Sequence, residues 1–402
     1  MNLAGMPLMQ KQLMKTLFGK IRHGGLRVRF WDDEEVDYGD TAPKVNLTFK
    51  SCPNPALYAD DLTMALGEAY MDGVVEYEGR LEDILLLLSD NYRYFTTAGK
   101  AARAIKSITN LADRAQAKKN IQHHYDLGND FFALWLDETM SYSCGYFKHP
   151  DDTLKQAQLQ KIEHILKKLH LQPGETLLDI GCGWGWLIIK AAQAYNVKAM
   201  GITLSEEQYR GVRQRIADLG LTGQVTVELM NYLDLDPAKH RFDKVVSVGM
   251  FEHVGKSNMP QYFSKINELL NPGGLSMLHT ITDTVEDKPE NTWIKKYIFP
   301  GGYVPTLREV IWQLPSSDFH LLHAESLRMH YAMTLDQWHL NFSQQIESIR
   351  DKFGDRFVRM WELYLAGCAA AFRATGLDIY QLLFSKGLNN QLPLTYDHVY
   401  MP

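Results

Sequence analysis

One stretch limits the fold more than any other. Residues 176–185, Thr176-Leu177-Leu178-Asp179-Ile180-Gly181-Cys182-Gly183-Trp184-Gly185, run from an apolar strand pattern through an acid into a glycine-rich turn. A helix pattern follows. Strand and helix patterns then alternate, with strands expected at Val197–Thr203, Val225–Leu229, Lys244–Val248 and Leu275–Thr280, the last after the turn Asn271-Pro272-Gly273-Gly274. This alternation predicts a doubly wound, parallel, Rossmann-like α/β sheet. Such sheets bind ligands at the carboxyl ends of their strands, so the polar residues there become the candidates.

A G-x-G turn by itself admits a dinucleotide, but two features oppose one. Asp179 precedes the glycines, where a pyrophosphate would be repelled, and the second strand ends in Gly201-Ile202-Thr203-Leu204-Ser205 without the acid that takes a ribose hydroxyl. An acid before the turn suits a cationic or amine ligand, and S-adenosylmethionine carries both a sulfonium and an amino group. Thr203, Ser205 and Gln208 can bond ribose or carboxylate groups, although Ser205 to Gln208 also has capping-box spacing. Asn231 and Tyr232 follow the third strand, where an adenine would sit. Tyr232 could stack on it and Asn231 could bond its amino group, or both could be structural.

The chain has 402 residues, 45% hydrophobic and 22% charged, which suits a folded protein of two or three domains. A net charge of −6 argues against a nucleic-acid binder. Cys52, Cys144, Cys182 and Cys368 show no C-x-x-C spacing, and no H-E-x-x-H occurs, so neither a disulfide framework nor a metal is expected. No apolar run is long enough to span a bilayer and no signal peptide is evident, so a cytoplasmic protein is expected.

Three parts are expected: a small α+β accessory domain over 1–97, a basic linker helix over 98–119, and a ligand-binding domain over 120–402. In the first part, Met6, Met9, Leu13, Leu17 and Ile21 recur at helical spacing with Lys11 and Lys15 off the stripe. Strands are expected at Leu26–Trp31 and Lys44–Phe49, and helices at Ala59–Met71 and Leu81–Ser89. Its acids, from Asp60 to Asp83, read as a solvated face. The basic residues before Asp32 and from Lys100 to Lys119 suit either docking on anionic lipid or solvated helices.

Further motifs carry a resemblance. They include His123-His124-Tyr125-Asp126-Leu127-Gly128-Asn129-Asp130-Phe131-Phe132, Tyr142-Ser143-Cys144-Gly145-Tyr146-Phe147, Phe251-Glu252-His253-Val254-Gly255, and Leu278-His279-Thr280-Ile281. Tyr297-Ile298-Phe299-Pro300-Gly301-Gly302, His330-Tyr331 with Thr334-Leu335, and Gly367-Cys368-Ala369-Ala370-Ala371-Phe372-Arg373 complete the set. Over about Asn120 to Lys386 the chain resembles the cyclopropane-fatty-acyl-phospholipid synthases, relatives of the mycolic acid cyclopropane synthases. The N-terminal region is similar to the extra domain of the bacterial phospholipid enzymes.

The resemblance implies a class I methyltransferase domain. It implies transfer of a methylene from S-adenosylmethionine across a cis double bond of a phospholipid acyl chain, with bicarbonate as the base. By motif, the bicarbonate ligands would be Cys144, Glu252, His279, the backbone of Ile281, and Tyr331. The cofactor contacts would be Tyr142, Ser143, Asp179, Gly181, Gly183, Thr203, Gln208, Asn231 and Tyr232. Members of the family often carry Asp where this chain has Asn231, which bears on affinity. His253, His330 and Cys368 are expected in supporting or packing roles. A homodimer lying peripherally on the inner face of the cell membrane is also implied.

The chemistry suits these residues. Alkene attack on a sulfonium methyl leaves a carbocation, which water would trap as an alcohol, so the site must be dry and the base close and oriented. Aromatic faces stabilise a cation, and the chain has 20 Tyr, 17 Phe and 8 Trp. Two alternatives stand: a methyltransferase giving a methyl-branched or methylene product, and a lipid-surface binding protein with an inactive fold.

Overall fold

The computed structural model describes residues 6–53, 62–95, 127–286 and 291–401. The expected linker over 98–119, with its basic residues, and His123 to Asp126 of the first motif lie outside them. The chain divides into two units: 1–113 with 289–300 and 338–375, and 114–288 with 301–337 and 376–402. The first is therefore discontinuous, drawing Trp293 to Phe299 and Cys368 together with the N-terminal region.

In the first unit, β1 (Gly25–Arg29), β2 (Glu35–Gly39), β3 (Val45–Phe49) and β4 (Val75–Glu78) form a sheet of order β2-β1-β3-β4, in which only β1 and β3 run parallel. The alternation of β3 turns Val45, Leu47 and Phe49 inward. They pack with Met14 and Phe18 of the helix Met6–Phe18. That helix is rotated from the expected orientation. Leu8, Met9 and Leu13 are exposed, whereas Lys11 is buried against Asp32 and Glu34 with its ammonium over the Phe30 ring (5.1 Å to the centroid). Lys15 also pairs with Glu34. Two of the basic residues considered for lipid docking are thus held by acids of their own unit.

The reading of the acids as a solvated face is corrected. Glu68 is buried and accepts from Lys296 Nζ (2.6 Å) and Tyr297 OH (2.5 Å). Asp72 accepts from Arg356 Nε (2.8 Å), and Glu76 from Arg359 Nη2 (2.6 Å). These acids hold the short helix Thr292–Tyr297 and the helix Asp355–Ala374, which packs on helices Leu62–Met71 and Leu81–Phe95.

The second unit holds a seven-stranded sheet built from β5 (Thr176–Ile180), β6 (Lys198–Thr203), β7 (Val225–Leu229), β8 (Phe242–Val248), β9 (Leu270–Asp283), β10 (Phe319–Ser326) and β11 (Leu377–Lys386). The order is β10-β11-β9-β8-β5-β6-β7. The five expected strands are parallel, and β11 and β10 extend the sheet antiparallel beyond β9. The turn at Asn271 to Gly274 is an interruption within β9, where the pairing with β8 jumps from Phe242↔Leu270 to Lys244↔Leu275. Leu177 packs on one face with helices Leu154–Lys168 and Trp186–Tyr195, and Leu178 on the other with helices Met259–Leu269 and Leu307–Ser316. With both faces covered, the carboxyl ends of the strands are left for chemistry. The register brings those ends level, pairing Ile180 with Ser247 and Val248 with His279. Among the described residues no helix is long and apolar enough to cross a membrane.

The carboxyl groups of Glu68 and Glu76 are held below their ordinary range, chiefly by hydrogen bonds from Lys296 and from Arg359. Their stabilisation is complete above the unfolded carboxyl value of about 4.3 and is lost as pH falls through the lowered folded value. Glu68→Ala should cost about 1–2 kcal/mol of unfolding free energy at neutral pH. Urea titrations at pH 7 and pH 3 check this: the gap from wild type should narrow in acid, and no gap at pH 7 would contradict the pairing.

Candidate active site

The strand–turn–helix unit at Asp179 to Gly185 needs left-handed backbone at its glycines. Gly181 has φ 80° and Gly183 φ 54°, conformations that side chains resist. A Cβ at Gly181 would meet Met250 at 3.2 Å, while one at Gly183 would meet nothing within 4 Å. The turn faces a cavity of about 500 Å³. Its lining includes Tyr142, Ser143, Asp179, Gly181, Gly183, Thr203 and Gln208, seven of the nine residues expected at a cofactor. His253, Trp184, Met250 and Lys161 line it too.

Asn231 and Tyr232 are not among the lining residues. Asn231 Oδ1 accepts from Leu233 N (3.0 Å) and caps the turn Tyr232–Asp234, and Tyr232 packs edge-on against Tyr262. Thr203 Oγ1 donates to Gln208 Oε1 (2.7 Å), so the two polar side chains share one site, and Ser205 caps the helix Glu206–Asp218.

Asp179 is 3% exposed, and its Oδ1 has no hydrogen-bond partner. Burial raises its carboxyl to about 7, against the pull of Lys161. Lys161 is 4% exposed, its ammonium lowered to about 8 by burial. Its Nζ donates to Ser143 Oγ (2.9 Å), and Gln158 Nε2 donates to Ser143 O (2.8 Å). Two residues of the helix Leu154–Lys168 thereby fix the segment Tyr142 to Cys144. Neither was expected from sequence, where a lysine on an apolar helix face looks like any other. The signal was its place in line with Ala157, Ile162 and Ile165, which are all buried. The Tyr142 ring packs against Phe132 and Trp135, each with centroids 5.4 Å away.

The residues expected around bicarbonate do not line this cavity, and the contacts join them as two pairs, Glu252 with Ile281, and Cys144 with Tyr331 through Leu327 O. Glu252, in the turn after β8, accepts from Ile281 N (2.7 Å). The Ile281 amide is therefore already committed, because a buried carboxyl requires a donor. Glu252 Oε2 stays buried without a partner, and burial raises its carboxyl. His279 is 1% exposed, and its Nε2 also has no partner. Burial pushes the His279 imidazole well below the ordinary histidine range, so it is neutral. The Cys144 thiol is fully buried, donates to Gly145 O (3.2 Å), and is pushed up by burial, which opposes a nucleophilic thiolate. Tyr331 lies in the first turn of the helix Arg328–Gln344, its N–H on Leu327 O, the carbonyl that the Cys144 thiol approaches at 3.9 Å. His330 Nδ1 accepts from Phe147 N (3.0 Å), a supporting contact, and Cys368 belongs to the first unit.

The profile of the mycolic acid cyclopropane synthetase family matches residues 112–382, and a domain of unknown function matches residues 13–100. A probable fatty acid methyltransferase of Pseudomonas putida is 38% identical over 94% of this chain and 97% of its own length. The cyclopropane-fatty-acyl-phospholipid synthase of Escherichia coli K12 is 39% identical over 82% of this chain and 85% of its own. Among solved structures, the mycolic acid cyclopropane synthase CmaA1 in complex with SAH and CTAB has a TM-score of 0.63 and 36% identity, covering 67% of this chain and 98% of that one.

Because the Lys161 ammonium is what draws the Asp179 carboxyl down, Lys161→Met should move the Asp179 titration midpoint above about 7. Carboxyl-carbon NMR of the unliganded protein follows this. A midpoint at or below that of wild type would contradict the coupling.

Proposed function

The chain belongs to the mycolic acid cyclopropane synthetase family, and on that premise we propose that it transfers a methylene group from S-adenosylmethionine across a cis double bond of an unsaturated phospholipid acyl chain to close a cyclopropane ring. The observation that carries this reading is a set of three buried, unpartnered polar atoms toward the carboxyl side of the sheet: Asp179 Oδ1 near the end of β5, Glu252 Oε2 in the turn after β8, and His279 Nε2 on β9. Buried polar atoms are rarely left unsatisfied, so each of the three is a candidate to meet a ligand.

The cavity beside Asp179 is the place for S-adenosylmethionine. Its donors and acceptors are Asp179 for the amine or sulfonium end, Thr203 and Gln208 for hydroxyls, and the backbone of Gly181 and Gly183 for close approach. When bound, S-adenosylmethionine supplies an electrophilic methyl group. The alkene forms a carbon–carbon bond to that methyl as the carbon–sulfur bond breaks, leaving a cation on the acyl chain. Loss of a methyl proton then lets the C–H electron pair close the ring.

The family motifs would bring neutral His279, Glu252 with its carboxyl raised by burial, the Cys144 thiol and Tyr331 around a small anion. A small oxyanion fits such a group, and bicarbonate when bound supplies a basic oxygen there. Tyr142 and Phe132 line the cavity, where their rings can meet a cation and exclude water, and buried Trp135 packs against both. This aromatic cluster also favours an apolar chain as substrate.

A second reading is favoured by the similarity to a probable fatty acid methyltransferase over nearly the whole chain: the cation would resolve to a methyl-branched or methylene product. Vesicles of cis-unsaturated phospholipid incubated with S-adenosylmethionine separate the two. Gain of one CH₂ with loss of ozonolysis sensitivity is expected, whereas the same gain with a surviving double bond would establish the second reading. Asp179→Asn should weaken S-adenosylmethionine binding about tenfold or more, since a hydrogen bond to a charged group is lost. Calorimetric titration measures this, and unchanged affinity would remove Asp179 from the site.

We also propose a homodimer docked peripherally on the cytoplasmic face of the membrane through the basic segment 100–119, since Lys11 and Lys15 are held internally. Neutralising Lys100, Arg103, Lys106, Lys118 and Lys119 should weaken binding to anionic vesicles, most at low salt. Unchanged binding in vesicle sedimentation would contradict it.

A further inference from the structure

His279 carries a buried, unpartnered Nε2, and what that atom can do depends on where the ring proton sits. Behind the ring, His279 Nδ1 lies 3.2 Å from Gln381 Nε2. Gln381 is fully buried on β11, directly opposite His279 in the β9–β11 register. Its Oε1 accepts from Lys168 Nζ at 2.8 Å. Lys168 is itself fully buried in the helix Leu154–Lys168, and its ammonium also pairs with Glu325. Glu325 in turn takes a hydrogen bond from His164 Nε2 (2.6 Å) and one from Tyr400 OH (3.2 Å).

These contacts have a direction. An ammonium only donates, so the Gln381 carbonyl must face Lys168 and its NH₂ must face His279. An amide NH₂ also only donates, so His279 Nδ1 must accept. The single proton of the neutral ring then belongs on Nε2. Glu325, with its carboxyl drawn down to about 2 by its partners, keeps Lys168 charged and the direction fixed. We propose that Lys168 and Gln381 are positioning residues that lock His279 as the Nε2–H tautomer. His279 is thereby a hydrogen-bond donor to the site and not its base.

The functional part of this inference rests on the reading above: a donor at Nε2 suits an oxyanion that must itself stay basic. A ring with its proton on Nδ1 would turn a lone pair toward that anion and repel it. The tautomer itself does not depend on that reading. Gln381→Glu tests both, because a carboxylate can still pair with Lys168 but cannot donate to Nδ1.

The experiment uses the full-length protein labelled with ¹⁵N-histidine, with the His279 signals assigned by their loss in His279→Gln. Long-range ¹H–¹⁵N spectra of the wild type should show the proton on Nε2, and those of Gln381→Glu should show it on Nδ1. In turnover on cis-unsaturated phospholipid vesicles, kcat of Gln381→Glu should fall about 10²-fold, the scale of losing a partner that orients a functional histidine. Its KM for S-adenosylmethionine should stay within about twofold, since the cavity is untouched.

Lys168→Arg keeps the donor and should keep both the tautomer and most of kcat. Lys168→Met frees the amide to rotate and should mix the tautomers. Retained binding of S-adenosylhomocysteine shows that each variant is folded. A wild-type proton on Nδ1 would overturn the proposal whatever the variants do. So would a reversed tautomer in Gln381→Glu with kcat unchanged. A wild type that forms no lipid product would sink the proposed reaction instead, and the wild-type spectrum would still decide the tautomer.

Discussion

Lys161 is a buried ammonium whose charge is felt by Asp179, Cys144 and His279 at once. Burying it is costly unless neighbours compensate, and Asp179 and the Ser143 hydroxyl are the neighbours. It draws the Asp179 carboxyl toward the ionised form, opposes protonation of His279, and anchors the segment that carries Tyr142 and Cys144. One side chain on the helix Leu154–Lys168 therefore acts on the cavity and on His279 together, second only to burial. The same helix supplies Lys168, so one surface of it orders two different polar environments.

The sheet sets the distances over which this works. Parallel pairing of β5 with β8, and of β8 with β9, sets Asp179 two residues short of His279 in register, and the antiparallel β11 places Gln381 opposite His279. Strands hold Asp179 and His279 and the turn after β8 holds Glu252, while the segment from Asn129 to Tyr142 supplies the aromatic cluster. In the other unit, order depends on charge: Glu68, Asp72 and Glu76 bind lysine and arginine side chains of segments that lie 228 to 284 residues further along the chain.

That separation explains what could be read from the sequence. The Asp179 to Gly185 turn was legible because its glycines have one backbone solution, and all five parallel strands were legible because each is an apolar run between turn signals. Gly181, Gly183 and Thr203 stand at strand ends and Gln208 in the first turn of the helix that follows, places that the strand pattern itself marks. The acids of residues 68–76 were misread because their partners are distant in sequence and leave no local pattern. β2 escaped notice as a half-exposed edge strand bearing acids, and β10 because His320, His323 and Glu325 break its alternation. Lys161 and Gln381 are polar residues on buried faces, and only tertiary structure shows what they meet. The commitment of the Ile281 amide to Glu252 was likewise beyond reach, since it depends on how the turn after β8 folds back onto β9.

The central claim is that a proton leaves the transferred methyl group before the product is released. Incubation of cis-unsaturated phospholipid with S-adenosylmethionine bearing a fully deuterated methyl tests it directly, with the deuterium content of the acyl chain read by mass spectrometry. The account predicts a saturated product that keeps two of the three deuterons, one having been lost to the base. Retention of all three would mean that the cation is quenched without deprotonation of the new carbon, and would contradict the account.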